Sequence, residues 1–329
     1  MRQRQRGAAL IVALLIVTLA ASTAAFAIWQ QSLWVRQLEN VTDRAKADQL
    51  AAGGIDLARN VLKDDKDKDT KNNSLVDSLD EPWASAIVLP AEDATISGQI
   101  TDAQGLFNIN NLVNSVPISG SQSSSPPPNQ VWAAAFEKLL AILKVPKEHE
   151  LVTEVALWVT PDPTGLTDLQ YLALDPPYRA AQRPMLDIAE LARVKGFDAD
   201  IVQTIAPYVT ALDTSGGGAV STPTPVNVNT ASAEVLAAIT GLSLNQAQVI
   251  VKQRDTTPYK DPGVFNNAVK AANANAACPN TLCDVKSSYF TATIRVKSGR
   301  IEAGYTVLLD RSQTTTPWPS IKWRKEAAD

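Results

Sequence analysis

The sequence predicts an α+β protein: a long N-terminal helix packed on a small antiparallel sheet, with a large all-helical domain inserted between strands of that sheet. Three observations carry this reading. A helical pattern runs without proline from Ala8 to Leu62. Short β-branched segments lie before residue 101, and period-two alternation resumes only after residue 288. Between them the periodicity is helical from Val131 to about Phe265.

The N-terminal helix comes first. Arg2, Arg4 and Arg6 precede an unbroken apolar run from Ala8 to Ile28, which as a helix is roughly 30 Å long and matches a bilayer core. With no further charge until Arg36, the positive-inside rule leaves the N-terminus cytoplasmic and sends the bulk of the chain across the membrane. A cleaved secretory signal is the alternative, since Ala25-Phe26-Ala27 fits a signal-peptidase site and would leave Ile28 as the mature terminus. Two features weigh against it. Gly7 stands at the junction between the basic and apolar segments, and the pattern continues past Ile28, where Trp34, Leu38, Val41, Ala45, Ala52, Ile55 and Leu62 draw one apolar stripe.

The remaining elements follow in order. The mixed-charge run at 63–73 reads as a solvated loop. Ala84–Leu89 and Ala94–Ile100 read as strands, followed by a turn-like Thr101–Gln104. The Ser/Pro stretch at 119–130 reads as a flexible link. Six segments of helical period with Pro or Gly between them then form an all-helical subdomain. Near the end, SSYFTATIRV and RIEAGYTVLLDR flank the turn signal KSGR and predict a β-hairpin. The implied spans are 1–7 basic leader, 8–28 membrane helix, 29–62 its continuation, 63–115 first part of the sheet, 116–285 inserted helical domain, 286–312 closing hairpin and 313–329 tail.

Composition narrows function. At 45% hydrophobic residues the 329-residue chain can bury real cores. Loss of residues 1–7 leaves 27 basic against 34 acidic residues and moves the formal charge from −4 to −7, a poor balance for nucleic acid. Cys278 and Cys283 can close a small disulfide loop if the chain enters an oxidising compartment, the alternative being free thiols. Two thiols and one histidine, His149, make no ordinary structural zinc site. His149 lies at an expected helix start and faces solvent on that reading, and neither a phosphate-cradling glycine loop nor a G-x-S-x-G motif occurs. An enzyme is not expected.

The stretches GAALIVALLIV, ISGQITDAQGLFNINNL, YLALDPPYRAAQRPMLDIAELARVKGFD, VNVNTASAEVLAAITGLS and SSYFTATIRV, in this order, resemble the type IV pilin-like superfamily. Within it they resemble the K-type minor pseudopilin family of type II secretion systems. The resemblance covers nearly the whole chain. It implies a pilin-like fold and cleavage by prepilin peptidase between Gly7 and Ala8, with N-methylation of Ala8 and the apolar helix retained. It also implies a single-pass inner-membrane protein with a periplasmic bulk. The implied partners are I- and J-type minor pseudopilins, other pseudopilins and the inner-membrane assembly platform. The implied work is capping the pseudopilus tip and priming its assembly, so that folded proteins are exported across the outer membrane.

Position five of the mature chain, glutamate in ordinary pilins, is Val12 here. A membrane carboxylate is costly without a partner charge, and a subunit with no neighbour ahead of it needs none, so Val12 fits a tip subunit. Residues 227–255 resemble a helix-hairpin-helix (SAM-like) unit, which opens the alternative of a competence-type, DNA-handling pilin. Its turn, Gly241-Leu242-Ser243, is accompanied by only Lys252 and Arg254 against Glu234 and Asp255, so a scaffold role is favoured. Asp162, Asp168 and Asp175 lie in a Pro/Gly-rich loop of the kind that supplies oxygens to calcium. The family resemblance adds calcium in the helical domain, but Thr160 and Leu166 stand where acids are expected. Helix capping by Asp162 or Asp168 is the competing reading, and no cofactor is required.

Overall fold

The computed structural model describes residues 4–72, 74–91, 93–113, 129–215, 223–299, 301–312 and 316–327, with side chains from Ala9 onward. Most of the 119–130 link, and the tail positions around Thr314, lie outside the described residues. A single helix, α1, runs from Arg4 to Asn72 and is about 100 Å long. It therefore includes most of the charged run expected as a loop. Neither Gly nor Pro interrupts that run, Lys63 pairs with Asp67 one turn on at 2.7 Å, and Lys66 donates to the Arg311 carbonyl at 2.7 Å. Local pairing and a tertiary anchor keep the last turns wound.

Against α1 lies a five-stranded antiparallel sheet whose strands, in spatial order, are Ile87–Ala91, Ala94–Asp102, Tyr289–Ser298, Ile301–Asp310 and Ser320–Glu326. In chain order the elements after α1 begin with β1 (Ile87–Ala91) and β2 (Ala94–Asp102). The first strand starts later than expected because Pro82–Ala84 forms a 3-10 turn, tied down by Ser78 N–H and Trp83 Nε1–H donating to Glu81. β2 runs to Asp102, so the turn expected at Thr101–Gln104 shrinks to Ala103–Gly105. The inserted part then carries β3 (Phe107–Asn108), α2 (Gln130–Ile142), α3 (Glu148–Val159), α4 (Leu166–Leu172), α5 (Ala199–Ile205), β4 (Val209–Thr210), β5 (Val226–Asn227), α6 (Ala233–Thr240), α7 (Leu244–Thr256), α8 (Pro262–Ala272) and β6 (Cys283–Asp284). It is mainly but not wholly helical, since β3 pairs with β4 and β5 with β6 as short parallel bridges. β7 (Tyr289–Ser298) and β8 (Ile301–Asp310) form the closing hairpin, and β9 (Ser320–Glu326) adds an edge strand within the segment expected as tail. Its alternating burial was hidden by a segment rich in Lys, Arg and Trp.

Two cores result. One joins Ala47, Ala51, Ile55, Ala58 and Leu62 of α1 to Ile100, Phe290, Ile294 and Val307 of the sheet. Small residues let the helix approach closely; at Gly54 even a Cβ would come within 2.9 Å of the Ile294 side chain. The other fills the insertion and takes in Phe107, Ile109, Leu112 and Val113. Phe107 stacks on Phe136 and meets Trp132 edge-on. The insertion's core thus already takes in residues from Phe107 onward, and the expected boundary at 116 lies outside the described residues.

Candidate assembly surfaces and the root of the insertion

The apolar stripe read from the sequence divides in two. Ile55 and Leu62 are buried against the protein's own sheet. Trp34, Leu38 and Val41 stay 67%, 68% and 67% exposed, and Ala45 and Ala52 continue the exposed line. Below them the helix is apolar and unburied from Ala9 through the stretch fit to span a bilayer. Val12 lies exposed in that stretch; Gly7 and Ala8 sit in the helical backbone ahead of the described side chains. An exposed apolar face of this length on a helix that already has a buried face points to packing against other helices.

The insertion hangs from the end of the stalk away from the apolar segment. Lys46 of α1 reaches Asp93 at the start of β2, whereas Asp65 near the far end of α1 meets Arg311 just beyond β8. Asp102 ends β2 on that far side. Its buried carboxylate accepts from Asn227 Nδ2 (2.9 Å), Thr230 Oγ1 (2.6 Å), Ser287 Oγ (2.6 Å) and Gln104 N (2.8 Å), so one side chain ties β2 to the insertion and to the strand returning from it. Burial raises its pKa against these hydrogen bonds. Beneath it, Asn108, Asn110 and Asn111 form a buried knot that holds backbone groups of Met185, Leu212 and Thr224. Arg311 donates to Asp65 at 2.9 Å and to Asp77, and its guanidinium lies over Phe290. None of these residues was singled out from the sequence, where a buried Asn or Asp looks like any loop residue.

Asp65, Asp69 and Asp77 are, among the described residues, the only three acids close enough to share a metal ion, and Arg311 already supplies the cation there. Burial, and Asp65 next to it, raise Asp69 to about 6; burial raises Glu81 to about 7. Both bind protons more tightly folded than unfolded, so stability rises as pH falls from about 8 to about 5. Allowing for solvent screening at the half-buried Asp69, the gain is about 2 kcal/mol. A denaturation midpoint measured across this range checks it, and a flat or falling profile refutes it.

The calcium candidates are arranged otherwise than a cation cage requires. Asp162 accepts from Thr164 N (2.8 Å) and Thr167 N (2.8 Å); burial would raise its carboxyl, but these bonds together outweigh it and hold it well below the usual range. Asp168 accepts from Gln182 Nε2 at 3.1 Å and has Arg179 at 3.7 Å. Asp175 is exposed. Asp162 and Asp168 meet N–H and guanidinium donors and Asp175 stands apart, so the three as placed do not assemble a shared ion site, and Asp162 acts as a loop cap. Asp162→Ala is expected to cost about 1 kcal/mol, equally in calcium and in chelator. A calcium-dependent rise in melting temperature that Asp162→Ala abolishes would restore the ion.

Cys278 is joined by a disulfide to Cys283, the first residue of β6, their Cα atoms 6.0 Å apart. His149 is exposed and pairs with Glu137 at 2.6 Å. In the α6–α7 pair, bent by 117°, Arg254 is 6% exposed and donates inward to the carbonyls of Val228 and Ala231, which spends one of that unit's two cations on its own fold.

Two successive family profiles, both described as type II secretion system (T2SS) protein K, match residues 105–214 and 226–285, more than half of the chain. The chain belongs to the type II secretion system protein K family. Among similar proteins, type II secretion system protein K of Pseudomonas aeruginosa is 31% identical over 91% of this chain and 86% of its own. That of Aeromonas hydrophila is 30% identical over 92% and 91%. A chain in the crystal structure of the GspK-GspI-GspJ complex from enterotoxigenic Escherichia coli shares the fold, with a TM-score of 0.67, 23% identity, and coverage of 89% of this chain and 100% of that one. As a member of the protein K family, this chain is a minor pseudopilin with a pilin-like fold, a structural component of a secretion system. Its long apolar N-terminal helix fits a single-pass membrane anchor. The DNA-handling alternative is not favoured.

Proposed function

We propose that this minor pseudopilin caps the tip of a pseudopilus and primes its assembly with I- and J-type partners, without catalysis of its own, so that folded proteins leave across the outer membrane. The observation that carries the reading is the placement of a bulky insertion at the far end of a helix whose exposed face, Trp34, Leu38 and Val41, is free to pack laterally. A subunit so built can join helices beside and below it, while its insertion obstructs any subunit above. The N-terminus stays cytoplasmic and the bulk lies in the periplasm. Prepilin peptidase cuts after Gly7 and Ala8 is methylated, after which the inner-membrane assembly platform and other pseudopilins receive the helix. Val12, with no carboxylate to offer a preceding subunit's amine, agrees with that place.

The test uses the full chain co-produced in detergent with the I- and J-type pseudopilins of the same bacterium. Val41→Asp is expected to weaken the heteromeric complex at least tenfold, because it buries an unpaired charge, with the melting midpoint of the chain alone unchanged. Ile55→Asp, by contrast, should unfold the stalk, since Ile55 faces the sheet. An unaltered complex with Val41→Asp, homopolymers formed by the chain unaided, or a mature terminus at Ile28 would overturn the proposal.

A further inference from the structure

The segment after α4 carries a feature that tip capping does not use. A cleft of about 490 Å³ is lined by Arg179, Arg183 and Arg193, with Trp158, Tyr178 and Glu190. Three guanidinium groups converge on one hollow of a chain whose formal charge is negative. Their internal pairing is slight. Arg179 reaches Asp168 at 3.7 Å and Arg183 reaches Glu190 at 3.9 Å, each by one long ion contact; Arg183 Nη1 also donates to the neighbouring Pro184 carbonyl at 3.2 Å, and both acids have other donors, Gln182 Nε2 and Leu186 N. Arg179 and Arg183 keep 76% and 50% of their side-chain surface exposed. The Arg193 side chain has no ion-pair or hydrogen-bond partner among the described residues, although its carbonyl accepts from Tyr178 Oη at 2.7 Å, which holds the ring at the cleft wall. Trp158 is buried in the same wall, and its Nε1–H has no hydrogen-bond partner among the described residues.

A guanidinium presents five donors in a planar fork that matches a carboxylate, and aromatic neighbours cover the aliphatic stems of whatever carries the acid. The cleft volume admits several side-chain groups, many times the room one inorganic ion needs. We propose that this cleft binds an acidic segment of another protein, its carboxylates held on Arg179, Arg183 and Arg193 against the Trp158–Tyr178 wall. The proposal is independent of tip capping, since its residues lie in the insertion and not on the stalk.

The full chain in detergent is titrated with a hexaglutamate peptide, with hexaglutamine and inorganic phosphate at matched ionic strength as the other arms. Hexaglutamate should bind saturably, more weakly as salt rises, and perturb a tryptophan emission component that disappears in Trp158→Phe. The double variant Arg179→Ala/Arg183→Ala should bind at least tenfold more weakly. Arg193→Gln, whose side chain supports no fold contact, should lose affinity with an unchanged melting midpoint, and Arg183→Lys should fall between parent and alanine. Hexaglutamine binding equal to hexaglutamate, undiminished binding by Arg193→Gln and by the double variant, or phosphate binding without peptide binding would each overturn the assignment.

Discussion

Replacing Arg311 by alanine is expected to remove about 3–5 kcal/mol of stability, the usual cost of stranding buried carboxylates. The residue is 7% exposed, with Asp65 and Asp77 also buried against it, and it joins three separate parts of the chain: the end of α1, the segment leading to β1 and the segment leading to β7. Its Nε also donates to the Ser287 carbonyl at 3.0 Å, and Lys66 caps its own carbonyl. The loss is therefore larger than for any exposed pair on α1, such as Arg59 with Asp56, where about 0.3–0.5 kcal/mol is ordinary. Arg311→Met combined with Asp65→Asn and Asp77→Asn removes all the charges together and should recover much of the loss, because the penalty lies in leaving charges without a partner. Denaturation of the full chain in mild detergent measures both. A single-variant loss under about 1 kcal/mol, or a triple variant worse than the single, would refute the account.

Asp102→Ala is the second large effect, expected at about 3 kcal/mol, because it leaves three side-chain donors and one backbone donor to find new acceptors in a buried site. The consequence should be local as well as global. Asp102 links β2 to Asn227, Thr230 and Ser287, so the insertion should become cleavable near Ala103 by a protease dose that leaves the parent intact. Asp102→Asn keeps the shape but turns part of the acceptor into a donor facing Asn227 and Ser287, and should recover less than half of the loss. If proteolysis at the junction is unchanged in Asp102→Ala, this carboxylate does not hold the insertion to the stalk.

Much of the architecture is legible in the sequence because periodicity survives without context. The alternation of SSYFTATIRV and RIEAGYTVLLDR becomes β7 and β8, and the proline-free pattern after Ala8 becomes α1. What is not legible depends on partners distant in sequence. The run at 63–72 looks like a loop until Asp65 and Lys66 are seen against Arg311. Ile55 and Leu62 look continuous with Trp34 and Leu38, and only the position of the sheet tells the self-packed face from the one left for others. Asn108, Asn110, Asn111 and Asn227 carry turn-like propensities, and their burial becomes evident only when the chain ends they tie together are brought side by side. In the acidic loop the residue types admit either a cation or N–H donors; the backbone path, which brings Thr164 and Thr167 onto Asp162, favours the donors.

The pairing of β2 with β7 is also expected to impose an order of folding. Thr101 and Thr291 face each other across the sheet although 190 residues separate them in the chain. Closing so long a loop from an unstructured chain carries an entropy cost that grows with the logarithm of its length, and such distant pairings are slow to form. Once the insertion has condensed around Phe107 and Phe136, its entry at Asp102 and its exit at Ser287 are already neighbours, and the two strands meet as if joined by a short turn. The insertion thus acts as the hairpin loop of the stalk sheet. Until it has folded, β1 and β2 present an unpaired edge, which makes this interval the one in which a chaperone would have most to protect.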